Sequence, residues 1–160
     1  MMETMGIPSP LRVLILEDNP ADADLMAREL RQAGIEAQVD RVETETEFVA
    51  RLTPEPDLIL SDYKLPQFGG LQALRLVRSR GLDVPFIIVS GSIGEDIAVE
   101  AMREGADDYL LKDRMARLGP AALQALENRR LRREMRRAEA ALRERDVKFR
   151  QIAENIKDLF

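Results

Sequence analysis

The stretch LRVLILEDNP, residues 11–20, passes from an apolar run through two adjacent carboxylates to a helix-start signal. A short, near-continuous apolar run such as LRVLIL suits a strand buried on both faces. Asn19 is a good N-cap and Pro20 fits the first helical position, so the chain turns from strand into helix just after Glu17 and Asp18. Adjacent acids repel each other and gain nothing from an apolar core. Taken alone, the pair also fits acids that merely favour a helix N-terminus. The question is what else converges on them.

Further along lie DLILS (57–61), PFIIVSG (85–91) and DYLLK (108–112), with a weaker, alternating run EAQVDRV at 36–42. Helical segments separate them. Gly34 stops the first, which began at Asn19-Pro20. Thr44 with Glu47 forms a capping-box pattern opening a short second helix. A third is expected from about 70 to 79, ended by Gly81, and a fourth from about 95 to 104, ended by Gly105. Five strands alternating with helices predict a doubly wound α/β domain around a five-stranded parallel sheet. Its site is expected outside the carboxyl ends of the strands, near a topological switch point.

Those ends carry Glu17-Asp18, Ser61-Asp62, Ser90-Gly91 and Lys112 in chain order. In a parallel sheet they share one edge. Three carboxylates close together need a cation among them. Carboxylate oxygens are hard ligands, so Mg²⁺ (or Mn²⁺) is the natural occupant. A carboxylate is also a nucleophile toward a phosphoryl group, and a metal with a lysine neutralises charge building on the phosphoryl oxygens. A serine hydroxyl can donate to the same group. Individually the residues have plainer readings. Lys112 suits a solvated loop, Ser90 a turn and Tyr109 a core position.

The chain has 160 residues, 45% hydrophobic and 33% charged, with a formal net charge of -5. The length suits one domain with an extension, and a compact part of ~120 residues would bury roughly two-thirds of its unfolded surface. The acidic balance argues against general nucleic-acid binding. There is no cysteine, which excludes disulfides and thiolate chemistry and fits a reducing compartment. There is no histidine, which excludes imidazole metal sites, Ser-His catalysis and a phosphohistidine on this chain. MMETMGIPSP, the tail at 1–10, has neither the basic flank nor the apolar run of a signal peptide. No segment approaches the ~20 apolar residues of a membrane span, so a soluble, cytoplasmic chain is expected.

The motifs LILEDNPAD, LILSDYKLPQFGG, FIIVSG and GADDYLLKD, in this order, resemble the receiver domain of two-component response regulators. The resemblance covers about residues 11–125 and implies the flavodoxin-like receiver fold. It implies that Asp62 is the phosphoacceptor and takes its phosphoryl group from a phosphohistidine donor, a histidine kinase or phosphotransfer protein. It makes Asp18 a direct metal ligand, Glu17 a ligand through water, and the backbone carbonyl of Lys64 the remaining protein ligand. Ser90 and Lys112 contact the phosphoryl group, and Tyr109 matches the switch aromatic. No separate enzyme activity is implied beyond self-phosphorylation and dephosphorylation. Two positions depart from the family pattern. Lys112 is followed by Asp113 where receivers usually have a proline in a cis peptide, so the loop is either trans and shaped differently or strained. Lys64 brings a cation to the phosphoryl entrance. Two rival readings are a receiver-like interaction or dimerisation module that works without phosphorylation, and an aspartyl phosphatase of the haloacid dehalogenase type. The second needs an acid two residues after its nucleophile, where Lys64 stands.

Beyond the receiver the pattern changes. Met135, Leu142, Phe149 and Ile156 recur at one seam position, and Leu131, Ala138 and Ile152 at the other, with Arg145 interrupting. Asn128 falls in the seam on extrapolation backwards. This predicts a coiled-coil signalling helix over 126–150 and a parallel homodimer. Ten basic and four acidic residues lie between Asn128 and Arg150, which fits solvated coiled-coil flanks better than a DNA-gripping helix. KFRQIAENIKDLF resembles the opening of a PAS sensory domain, placed at 151–160. That resemblance implies an N-terminal piece of a longer protein, of a kind that commonly continues into a histidine kinase or a diguanylate cyclase module.

Overall fold

The structure is a computed structural model, and it describes residues 7–92 and 94–158. Residues 1–6 of the expected tail and the last two of the PAS-like segment lie outside the described residues. Five strands form one parallel sheet: β1 (Leu11–Leu16), β2 (Ala37–Val42), β3 (Leu58–Asp62), β4 (Phe86–Ser90) and β5 (Asp108–Leu111). Their order is β2-β1-β3-β4-β5, the flavodoxin-like doubly wound arrangement. The chain leaves β1 toward β2 on one side and returns to β3 on the other. The topological switch therefore lies between β1 and β3.

Strand residues alternate between two cores. Val13, Ile15, Leu58, Leu60, Ile87 and Val89 pack on one face with Ala23, Met26 and Leu30 of α1 (Pro20–Gln32) and Leu118, Ala122 and Ala125 at the start of α5 (Leu118–Asp158). Leu14, Leu16, Ile59, Phe86 and Ile88 point the other way. They meet Phe48 of α2 (Glu45–Ala50), Ala73, Leu74 and Val77 of α3 (Gly70–Ser79) and Ala101 of α4 (Glu95–Arg103). β3 and β4 are buried at every residue, which is why they read as unbroken apolar runs. β2 is an edge strand with exposed positions, and its signal was correspondingly weak.

The helix ends follow the local chemistry. Asn19 accepts the Ala21 N–H at 2.9 Å, and Thr44 accepts the Glu47 N–H at 3.2 Å. Gly34, Gly81 and Gly105 take φ of +84°, +74° and +104° just past α1, α3 and α4, a region other residues enter at a cost. Gly119 serves close approach instead. A Cβ there would lie 2.5 Å from the Ala33 side chain and 3.1 Å from the Glu29 carbonyl.

The described residues up to Glu127 form one compact unit and those from Asn128 another. The second is helical to Asp158 and leaves Met135, Leu142 and Phe149 at 65%, 62% and 73% exposure. Among the described residues no helix is long and apolar enough to cross a membrane.

Candidate metal and phosphoacceptor site

Parallel strands in register bring residues from 17 to 112 to one edge of the sheet. Glu17 and Asp18 follow β1, Asp62 ends β3, Ser90 ends β4 and Lys112 follows β5. One carboxylate oxygen from each of Glu17, Asp18 and Asp62 lies within 4.8 Å of the others, across the switch point. Glu17 is fully buried and Asp62 nearly so, while Asp18 is exposed.

Glu17 is held from several sides. Its Oε1 accepts the Asn19 N–H at 3.0 Å, and the Arg41 guanidinium donates to its backbone carbonyl at 3.1 Å. Its Oε2 is buried without a hydrogen-bond donor. Lys112 Nζ stands 3.1 Å from that oxygen, so the contact is one of charge rather than an aligned hydrogen bond. Burial pushes the Glu17 carboxyl up from 4.5 to about 7. The Asn19 N–H opposes the shift, the Asp18 carboxyl adds to it, Lys112 opposes it, and the Asp62 charge adds to it.

Asp62 accepts the Lys64 N–H on Oδ1 at 3.2 Å and the Lys112 ammonium on Oδ2 at 3.0 Å. Lys112 also donates to Asp22 at 2.8 Å. Burial works against the lysine's charge, but Asp22, then Asp62, then Glu17 outweigh it and raise its pKa above the ordinary value. Asp22 was not singled out in the sequence. The available signal was an acid one turn into the helix that follows Asp18. The Lys112-Asp113 peptide is trans, since the cis bonds among the described residues precede Pro10 and Pro54. The lysine begins a 3₁₀ segment, Lys112–Arg117, and still reaches Asp62.

Ser90 is buried, and its hydroxyl is engaged with Ser92 rather than with Asp62. It donates to the Ser92 carbonyl at 3.2 Å and accepts the Ser92 N–H at 3.3 Å. Tyr109 is half-buried, and its hydroxyl donates to the same Ser92 carbonyl at 3.4 Å. The Lys64 side chain is exposed.

The donor set suits a hard divalent cation. It offers three carboxylates around one point, one of them with a buried oxygen that lacks a hydrogen bond, and Lys112 offsets part of their charge.

The family model for the response regulator receiver domain matches residues 13–124. The chain belongs to the response regulator receiver domain family. Receivers of two-component systems take a phosphoryl group from histidine kinases and bind a divalent metal through acidic residues. Among relatives, the alkaline phosphatase synthesis transcriptional regulatory protein SphR of Synechococcus elongatus is 31% identical over 124 residues, covering 69% of this chain and 48% of that protein. The C4-dicarboxylate transport transcriptional regulatory protein DctD of Pseudomonas aeruginosa is 32% identical over 137 residues, covering 84% of this chain and 29% of that protein. This receiver chain thus spans about half or less of the length of these relatives. The signal receiver domain of the putative Luxo repressor protein from Vibrio parahaemolyticus superposes with a TM-score of 0.70 at 26% identity, over 78% of this chain and 96% of that one. The receiver domain of the putative response regulator NarL from Mycobacterium tuberculosis gives 0.66 at 26% identity, over 75% and 98%.

Proposed function

We propose that Asp62 accepts a phosphoryl group from a phosphohistidine donor, a histidine kinase or phosphotransfer protein, with Mg²⁺ or Mn²⁺ at Glu17, Asp18 and Asp62. The convergence of Glu17, Asp18 and Lys112 on Asp62 carries this reading. In the transfer, a carboxylate oxygen of Asp62 attacks phosphorus and the donor's P–N bond breaks, its electron pair returning to the imidazole. The cation supplies neutralisation of the phosphoryl oxygens. Asp18 would hold it directly, Glu17 would hold it through water, and the Lys64 carbonyl would supply the remaining protein oxygen. Lys112 holds a phosphoryl oxygen. Ser90 leaves Ser92 to donate to another, and Tyr109, which shares that Ser92 carbonyl, moves with it as the switch. The setting is the cytoplasm, where the donor presents its phosphohistidine.

The receiver occupies 11–125, a signalling helix 126–150, and a PAS-like domain begins at 151–160. The phosphorylation state passes along the helix to an output beyond it. The exposed seam from Leu131 to Ile156 favours a parallel homodimer, because a partner helix removes that stripe from water. Parallel pairing keeps both receivers at one end.

Acetyl phosphate with Mg²⁺ tests the reading by intact mass. One phosphoryl group is expected on the wild-type chain, none on Asp62→Asn, and none in EDTA. An unlabelled wild-type chain would favour an interaction module that works without phosphorylation.

A further inference from the structure

Three carboxylates converge on the Lys112 ammonium, and the shortest contact is to the one outside the expected site. Asp22 lies 2.8 Å away, Asp62 3.0 Å and Glu17 3.1 Å. An ammonium has three N–H donors. Two of them are used in hydrogen bonds, to Asp22 and Asp62.

Asp22 sits on a fixed support. It lies in the first turn of α1, whose inner residues Ala23, Met26 and Leu30 are buried in the core. Lys112 is less restrained. It begins a 3₁₀ segment at the end of a four-residue strand, and the next residue, Asp113, is exposed. Its four-carbon stem is flexible, and no ring closure in the neighbouring backbone limits it.

We infer that Asp22 is a positioning residue for phosphoryl transfer, tethering the Lys112 ammonium beside Asp62 when a divalent cation occupies Glu17 and Asp18. The inference rests on the receiver reading of Asp62. Cation and ammonium compete for the same oxygens, because like charges cannot share Glu17 and Asp62 cheaply. Asp22 is not part of the carboxylate triad, so its contact survives that competition. With one N–H on Asp22, the other two are free for the phosphoryl oxygens. As the Asp62 oxygen bonds to phosphorus and the donor bond breaks toward the leaving group, charge on those oxygens meets an ammonium already in place.

A plainer role for Asp22 is an acid that favours the N-terminus of α1, which would affect stability alone. A double-mutant cycle on the full chain separates the two, with acetyl phosphate as donor and Mg²⁺ varied. Asp22→Ala is expected to lower the maximal phosphorylation rate about tenfold, or ~1.4 kcal/mol, the scale of one charge-assisted hydrogen bond. Half-saturating Mg²⁺ should move by less than about threefold. Asp22→Asn, whose amide oxygen still accepts, should recover most of the rate. In a Lys112→Ala background Asp22→Ala should cost nothing further. If Asp22→Ala melts early, Asp22→Ser, which keeps a polar side chain in the first turn, takes its place in the cycle. Wild-type rates in the Asp22 variant, an equal loss in the Lys112→Ala background, or no recovery in Asp22→Asn would each overturn the tether. If the wild-type chain takes no label, the receiver reading fails and the tether fails with it. Labelling that Asp62→Asn abolishes but Asp22→Ala leaves untouched removes the tether alone.

Discussion

Lys112→Ala should convert the metal-free site into an electrostatic fault whose size depends on pH and on Mg²⁺. Without the ammonium, Glu17, Asp22 and Asp62 face one another with no common cation. Removing one member of a fully buried ion pair costs about 3–5 kcal/mol. The Lys112 side chain is 23% exposed and that of Asp22 31%, so solvent screens part of this. A loss of roughly 2 kcal/mol is expected in EDTA at pH 8, or a fall on the order of 8 °C in melting temperature. The pH dependence follows from Glu17. Its carboxyl titrates near 7 in the fold against 4.5 ordinarily, so between those values the folded state holds more protons than the unfolded one. Glu17 therefore favours folding when protonated, and stability falls as pH rises through this window. The variant's deficit should be largest above pH 7 and shrink toward pH 5. Saturating Mg²⁺ should bring the variant back to about the stability of the wild-type chain in EDTA, since a ligand at 100 times its dissociation constant adds about 2.7 kcal/mol. Scanning calorimetry in EDTA and in Mg²⁺ at both pH values reads all of this. Equal melting temperatures in EDTA at pH 8, or a deficit that grows on acidification, would refute the reasoning.

Glu17→Gln should stabilise the metal-free chain at pH 8 by removing a buried charge, yet weaken Mg²⁺ binding about tenfold or more in an NMR titration. Asp18→Ala should weaken Mg²⁺ at least as much, and unchanged affinity would remove Asp18 from the metal shell. Gly119→Val should destabilise the receiver by about 1–3 kcal/mol in urea, because its side chain meets Ala33 and the Glu29 carbonyl. Sedimentation of residues 1–160 should show a modest dimer, on the order of micromolar, that residues 1–127 lack; monomers for both at tens of micromolar would end the coiled-coil reading.

The sheet was legible because β1, β3 and β4 are buried on both faces, which forces continuous apolar runs, and because Gly34, Gly81 and Gly105 mark helix ends by necessity of φ. The positions of Glu17, Asp18, Asp62 and Lys112 were legible for a related reason. A charged residue that ends such a run can lie only at the sheet edge. Asp22 was hidden because an acid in a first helical turn already has a local explanation, and its partner lies 90 residues away. The trans geometry after Lys112 was open in the sequence, since a missing proline removes a preference without naming the shape that replaces it. The seam after Asn128 was plain as a periodicity, but periodicity defines a face and not its occupant.

The span from Glu17 to Lys112 has a consequence for biosynthesis. Glu17, Asp18, Asp22 and Asp62 have all been translated long before Lys112 joins them, and β3, which ends in Asp62, is flanked by β1 and β4. A ribosome-bound chain that stops short of β5 holds Glu17, Asp22 and Asp62 without the Lys112 ammonium that contacts all three. The last strand delivers a hydrogen-bonding partner for β4 and, directly after it, the ammonium that pairs with Asp62. Completion of the sheet and arrival of the ammonium beside Asp62 thus fall in the same step.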